Sequence, residues 1–170
     1  MSEKELVKKK KYYSEENGGG VWKKYSVDSM GEMHGPFRMY WPDGTKKAQC
    51  EFWHGKFRGF YCDFYKDGQL RLGVEFDENG LETGLSEAYW PNGKLEYEIT
   101  YKDGLEEGPY KTYWPNGNID VECTMVAGEE HGEYKVYRED GTLQKILLTD
   151  MGKVMGKVVN IEEVPKVSTD

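Results

Sequence analysis

The chain has 170 residues and a formal net charge of −8, a length that fits one domain with a continuous core. Residues 1–24 hold seven Lys and four Glu, a balance of +3 that leaves −11 for the rest. A body this acidic argues against binding to a phosphate backbone, and we expect no nucleic acid partner. Neither the apolar run of a signal peptide nor the ~18 apolar residues of a membrane span is found, which predicts a cytoplasmic protein and argues against a membrane partner.

The N-terminal segment, residues 1–30, is predicted to form a capping hairpin. Residues 8–13 make one strand, residues 14–20 the turn and residues 21–27 the return strand. Atypical terminal units protect the open edges of a stack of repeats, so this hairpin is expected to close the N-terminal edge.

Six Gly-x-x-x-Gly units then divide the chain at a nearly constant interval. Their first residues are Gly31, Gly55, Gly80, Gly104, Gly128 and Gly152, which are 24, 25, 24, 24 and 24 positions apart. Such a period indicates a repeat architecture, in which each unit buries its apolar surface against its neighbours. We assign residues 31–164 to the repeats and expect residues 165–170 to be a mobile tail.

Each repeat continues into an aromatic run, a turn and a second strand. The run from Gly84 to Gly93 reads GLSEAYWPNG, and two others end in nearly the same letters. Pro, Asn and Gly in this order are typical of a tight turn. After it, Leu95, Tyr97 and Ile99 alternate with polar residues, as in a strand with one buried face. The sequence therefore predicts an all-β fold: an elongated, twisted antiparallel meander of ten to twelve strands, made of stacked β-hairpin repeats. No helix longer than two turns is expected between Gly31 and Gly156.

Two aromatic columns run through the repeats, and the turn length decides which one is buried. The Tyr column is Tyr40, Phe64, Tyr89, Tyr113 and Tyr137; the Trp column is Trp41, Tyr65, Trp90, Trp114 and Arg138. We predict a three-residue loop, in which Trp90 faces Lys94 and Tyr89 faces Leu95. Because a buried column should not accept an unpaired Arg, the Tyr column is predicted to be core and the Trp column more exposed. Such a ladder is either a structural stack or, where exposed, a binding groove.

The repeated pattern G-x-Y-x-x-Y-W-P-N-G-K-L, with its Gly-x-x-x-Gly separators, resembles the MORN-repeat variant of the YwqK family of antitoxins. The resemblance spans residues 31–164. It implies a bacterial immunity or antitoxin protein that neutralises a partner toxin by binding, and it offers no catalytic residue. MORN-type repeats also serve as structural or membrane-associating scaffolds, which is the alternative function. The chain departs from the pattern at Lys66 and Glu139, which replace turn residues, and by an extra residue between Gly68 and Gly80.

The candidate partner-binding residues are acidic and aromatic. They are the corner residues Glu106, Glu107, Glu129 and Glu130, the strand residues Glu96, Glu98, Asp120 and Glu122, and the aromatics Trp41, Tyr65, Trp90 and Trp114. The strand carboxylates are expected to share the polar face of two neighbouring strands. Together these residues would steer a basic protein partner, such as a toxin, by complementary charge. The corner carboxylates would alternatively form a hydrated rim that discourages edge aggregation.

The histidines and cysteines do not suggest an enzyme, a metal site or a cofactor. His34 and His131 share a corner position in repeats 97 residues apart, and His54 precedes a corner glycine. This spacing assembles no catalytic trio. Cys50, Cys62 and Cys123 form no C-x-x-C motif and are expected to be small buried hydrophobes. The sequence therefore predicts a non-enzymatic protein.

Overall fold

A computed structural model describes residues 6–156 and 159–160 of the chain. Within them, fourteen strands form one antiparallel sheet, whose order follows the sequence from β1 to β13 while β14 also pairs with β12. The strands are β1 (Val7–Tyr12), β2 (Val21–Val27), β3 (Gly35–Tyr40), β4 (Lys46–Trp53), β5 (Lys56–Phe64), β6 (Leu70–Phe76), β7 (Glu82–Tyr89), β8 (Leu95–Lys102), β9 (Leu105–Tyr113), β10 (Ile119–Val126), β11 (Glu129–Tyr137), β12 (Leu143–Asp150), β13 (Lys153–Val154) and β14 (Val159–Asn160).

The predicted all-β meander is confirmed. Over the described ranges the single helix is a 3-10 turn at Glu15–Asn17, and no helix there is long and apolar enough to cross a membrane. The N-terminal hairpin consists of β1 and β2, in which Lys10 pairs with Lys24. The expected mobile tail, residues 165–170, and the last residues assigned to the repeats lie outside the described residues.

Four corners between hairpins are two-residue turns with positive φ at both positions, whereas the corner at Gly80 is a longer loop in which the backbone N–H of Asp77 donates a hydrogen bond to the carbonyl oxygen of Leu81. At Ala127 and Gly128 the φ angles are 51° and 84°, and the corners at His54, Asp103 and Met151 have the same form. Two successive positive φ angles define a type I′ turn, whose twist matches that of the flanking strands. This is why the first glycine of Gly-x-x-x-Gly recurs at these corners, since glycine adopts positive φ without a steric cost.

The three-residue loop predicted from the sequence is confirmed. The backbone N–H of Trp90 donates a 2.8 Å hydrogen bond to the carbonyl oxygen of Lys94, and Tyr89 pairs with Leu95. Directly after this pair, however, Ala88 pairs with Tyr97, so Glu96 is left unpaired in a β-bulge. The bulge places Leu95 and Tyr97 on opposite faces of the sheet, although they are two residues apart and a regular strand would put them on the same face. Leu95 pairs with Tyr89, whereas Tyr97 pairs with Ala88.

The prediction that the Tyr column forms the core is therefore wrong. The most buried residues lie on the side of the sheet that we call the apolar face: Phe37, Ala48, Cys50, Phe52, Val74, Ser86, Ala88, Ile99 and Met125. Tyr89 follows Ala88 and points to the opposite side, which we call the polar face. There the Tyr113 hydroxyl donates a 2.6 Å hydrogen bond to Glu98. The Trp column is not exposed either, since both Trp90 and Trp114 are half-buried.

Candidate functional site

A β-bulge recurs at the same position of each repeat. The unpaired residues, which we call the bulge column, are Lys47, Arg71, Glu96, Asp120 and Gln144. In the sequence each of them looks like one more polar residue in an alternating strand, so the pattern does not reveal the bulges. The charge of this column changes from positive to negative between Arg71 and Glu96.

Contacts place the bulge column along the apolar face. The Nζ of Lys47 lies 4.3 Å from the ring centroid of Trp41, and Arg71 forms an ion pair with buried Asp63. Asp120 lies 3.5 Å from the hydroxyl of Thr112, which pairs with Tyr97 and Val121. Burial raises the pKa of Tyr97, and the negative charge of Glu96 adds to this effect. The structure thus gives the apolar face a basic half and an acidic half.

The other two strand carboxylates, Glu98 and Glu122, lie on the polar face, each near a lysine. Glu98 is 3.6 Å from the Nζ of Lys111, and Glu122 is 3.7 Å from the Nζ of Lys135. Glu122 also accepts a 2.7 Å hydrogen bond from the Tyr137 hydroxyl. The expectation that Glu96, Glu98, Asp120 and Glu122 share one face is therefore wrong, because the bulges at Glu96 and Asp120 separate the two pairs.

Three corner carboxylates form a column at one margin of the apolar face: Glu82, Glu106 and Glu130. Glu106 pairs with Tyr101, and Glu130 pairs with Met125. Burial raises the pKa of Glu106, and the charges of Glu130 and Glu82 raise it further, against a hydrogen bond with Tyr101. Burial and the nearby Glu82 and Glu106 also raise the pKa of Tyr101 to about 12. Like charges are therefore crowded at these corners.

The remaining corner glutamates are held by neighbouring turns. The Glu107 carboxylate accepts a 2.9 Å hydrogen bond from the backbone N–H of Ala127. The Glu129 carboxylate lies against the backbone of Gly152. Glu106 and Glu130, in contrast, join the acidic half of the apolar face together with Glu96 and Asp120.

Polar atoms of the Trp column link each repeat to the next. The indole N–H of Trp90 donates a 2.9 Å hydrogen bond to the carbonyl oxygen of Tyr113, and that of Trp114 donates one of 3.3 Å to Tyr137. Tyr65 uses its hydroxyl in the same way, at 2.7 Å from the carbonyl oxygen of Tyr89. These three candidate anchors therefore also have a structural role.

Trp41 differs from the rest of its column. Its buried indole N–H has no hydrogen-bond partner within the described residues, and neither has the buried Oδ1 of Asp63. Both residues line a cavity of about 600 Å³ on the basic half of the apolar face, with Phe37, Ala48, Phe52 and Tyr61 among its walls. Apolar walls with a few polar groups are typical of ligand pockets, and Lys23, Lys47 and Arg71 also line this cavity.

The three cysteines, all among the described residues, are free thiols, and the expectation that they are buried holds for Cys50 alone. Cys50 is buried and the other two are half-buried. Burial raises the pKa of Cys50 to about 12 and that of Cys123 to about 11. Both groups are therefore protonated and unreactive at neutral pH.

Two of the three histidines meet at the first corner, beside Asp28. The Nδ1 of His54 lies 2.7 Å from Asp28, and the ring centroids of His34 and His54 are 4.6 Å apart. Burial by itself would raise the pKa of Asp28. Hydrogen bonds from His54 and from the backbone N–H groups of Met30 and Glu32 outweigh this effect and lower the pKa, so the carboxylate is charged at neutral pH. Sequence reasoning missed this cluster because its members belong to three different strand ends.

Comparison with known protein families agrees with the repeat structure. The MORN repeat variant family matches residues 33–54, 82–103, 106–127 and 130–150, just over half of the chain. The chain therefore belongs to the MORN repeat variant family. No curated protein matches it. Residues 55–81, which contain Lys66 and the extra residue, fall between the matched units.

Proposed function

We propose that this protein is a non-enzymatic binding protein that recognises a basic protein partner through the acidic half of its apolar face. The observation that carries the proposal is the change of sign in the bulge column, which brings Glu96 and Asp120 to the same face as Glu106 and Glu130. The repeat architecture supports a scaffold or binding role, since stacked repeats present extended surfaces rather than enclosed active sites.

Aromatic side chains give this half of the face its contact area. Four half-buried tyrosines lie on this face, as their pairing with Ala88, Gly84, Ile99 and Leu147 indicates: Tyr97, Tyr101, Tyr110 and Tyr134. Burial raises the pKa of each tyrosine, and the charge of a nearby glutamate raises it further. Tyrosine provides rigid apolar area together with a hydroxyl, which is why it is enriched in interface hot spots. A Lys- or Arg-rich partner surface would find both charge complementarity and ring faces there.

The specific role that we propose is neutralisation of a toxin, in the manner of an antitoxin or immunity protein. The resemblance of the repeats to the YwqK family motivates this step. A purely steric and electrostatic block needs no catalytic group, which fits the absence of a catalytic motif in the sequence. We also propose a cytoplasmic location, which suits three free thiols.

Matched charge variants test this function. The apolar-face variant Glu96→Gln/Asp120→Asn and the polar-face control Glu98→Gln/Glu122→Gln remove the same charge from opposite sides of the sheet. A partner is captured from native lysate, purified and titrated against each variant at low and high salt. We expect the apolar-face variant to bind at least about tenfold more weakly and to lose most of its salt dependence, with the control unchanged.

Loss of binding in the control alone, or a partner that is acidic, would reject the proposed face. Co-expression then tests the antitoxin role: the intact protein should restore the growth of cells that express the partner, and the apolar-face variant should not. A partner that binds as expected but is harmless to cells would support the proposed binding face and reject the antitoxin role.

The second candidate function is that of a scaffold that associates with an anionic membrane surface, and one observation favours it. β1 exposes Lys8, Lys9, Lys10 and Lys11, and β2 places Lys23 and Lys24 opposite the last two. Basic clusters of this size bind anionic headgroups. Sedimentation of the protein with vesicles containing phosphatidylserine, abolished by Lys→Gln changes in β1, would support this function instead.

A further inference from the structure

The first corner of the sheet carries a cluster with the composition of a metal site. Asp28, His34 and His54 each offer one ligand atom, and these atoms lie within 4.8 Å of one another. This is the one such group that the described residues contain. Asp28 directly follows the last residue of β2, His34 directly precedes β3, and His54 lies in the turn between β4 and β5.

Backbone hydrogen bonds fix the orientation of the Asp28 carboxylate. Its Oδ1 accepts hydrogen bonds of 2.9 Å from the backbone N–H of Met30 and 3.1 Å from that of Glu32. Its side chain is 5% exposed, yet Oδ2 faces the His54 ring. Hydrogen bonds of this kind fix the orientation of a metal-binding carboxylate.

His34 supplies a second observation, which does not depend on the spacing of the ligand atoms. Its Nδ1 is buried without a hydrogen-bond partner among the described residues. Buried polar atoms are rarely left in this state, and each case asks for an explanation. The His54 side chain, in contrast, is 51% exposed, so a hydrated ion can reach the cluster from solvent.

We propose that Asp28, His34 and His54 bind a Zn²⁺ ion that joins the N-terminal hairpin to the first repeat. Two imidazoles and one carboxylate are common zinc ligands, and tetrahedral coordination places ligand atoms about 3.4 Å apart. The 2.7 Å contact between His54 and Asp28 and the 4.8 Å limit within which all three ligand atoms lie bracket this spacing. The fourth position is left for water.

An ion at this position would stabilise the junction between β2 and β3. β2 and β3 pair through Lys23–Met39 and Lys24–Arg38, with one isolated bridge from Val27 to Met33. This is a shorter ladder than that of the neighbouring β3 and β4, which pair from Gly35–Phe52 to Tyr40–Lys46. A metal ion that joins Asp28 after β2 to His34 and His54 would strengthen this short junction.

The test uses the full chain without a His-tag, stripped of metal and titrated with ZnCl₂ by calorimetry. His54→Asn removes a ligand but suits the turn, because the φ of residue 54 is 46° and Asn tolerates positive φ. His131→Asn is the matched control, since the exposed His131 lies 3.0 Å from Asp150 and belongs to no such cluster among the described residues. We expect one Zn²⁺ per chain, affinity at least about tenfold weaker in His54→Asn, and no change in His131→Asn.

Fluorescence provides a second measurement at the same site. The Trp53 ring lies 4.3 Å from the His34 ring and 5.2 Å from the His54 ring. Cu²⁺ bound at the cluster should therefore quench Trp53, and the quenching should disappear in Trp53→Phe while Zn²⁺ affinity persists. No stoichiometric Zn²⁺ binding to the folded chain, or equal weakening by His54→Asn and His131→Asn, would overturn the proposal.

Discussion

The indole N–H of Trp90 donates a hydrogen bond of 2.9 Å to the carbonyl oxygen of Tyr113, 23 residues later and in the next repeat. Tyr113 is the last residue of β9, so its carbonyl lies where the strand ends. The bond joins two neighbouring hairpins at a point that strand pairing does not reach. Trp114 and Tyr65 make the corresponding bonds in their own repeats, which means that one sequence position supplies the connection several times.

Trp90→Phe should reduce the free energy of unfolding by about 1–2 kcal/mol, because it removes this hydrogen bond and keeps most of the ring. Trp41→Phe is the matched control, since the Trp41 indole N–H has no hydrogen-bond partner among the residues described. Denaturant unfolding followed by circular dichroism measures both. A larger loss for Trp41→Phe than for Trp90→Phe would mean that ring packing, and not the hydrogen bond, is responsible.

Ile99→Ala should cost about 2–5 kcal/mol, the range for truncating a buried aliphatic residue. Ile99 is 7% exposed on the apolar face, whereas its neighbour Thr100 is half-buried on the polar face. Thr100→Ala should therefore cost clearly less in the same unfolding experiment. Equal losses would contradict the assignment of the two faces.

Glu106→Gln should stabilise the protein at neutral pH. Because the pKa of Glu106 is raised by burial and by Glu130 and Glu82, its ionisation disfavours the folded state as the pH rises. The expected gain is a few tenths to about 1 kcal/mol, as for like charges on neighbouring strands. It should disappear below the ordinary pKa of 4.5, where the carboxyl is protonated in both states. Melting temperatures at pH 7 and pH 4 provide the check, with exposed Glu78→Gln as the control.

Ala127→Asn should increase the free energy of unfolding by up to about 1 kcal/mol. Ala127 has a φ of 51° in its type I′ turn, where alanine is strained and asparagine is favoured. Asp103→Asn, at the equivalent corner with a φ of 53°, should be nearly neutral because aspartate already tolerates this conformation. A destabilised Ala127→Asn variant would show that the alanine methyl group makes a needed contact.

Much of the architecture follows from local sequence. The 24-residue spacing of the glycines, the Trp-Pro-Asn-Gly turns and the alternation around Ile99 predicted hairpins, their order and the three-residue loop. These features act over a few residues, since positive φ and turn length are set by the residues of the turn itself. The closeness of Glu106 to Glu130 and Glu82 has a related cause, because a fixed period brings equivalent corners together.

The faces were decided by tertiary structure. An unpaired residue such as Glu96 belongs to a bulge only in relation to the partner strand, so an alternating sequence does not reveal it. One extra residue moved the Tyr column away from the core and placed Glu96 and Glu98 on opposite sides of the sheet. The meeting of Asp28 with His34 and His54 has the same origin. Its members are 6 and 20 residues apart along the chain, and only the stacking of one corner on the next brings them together.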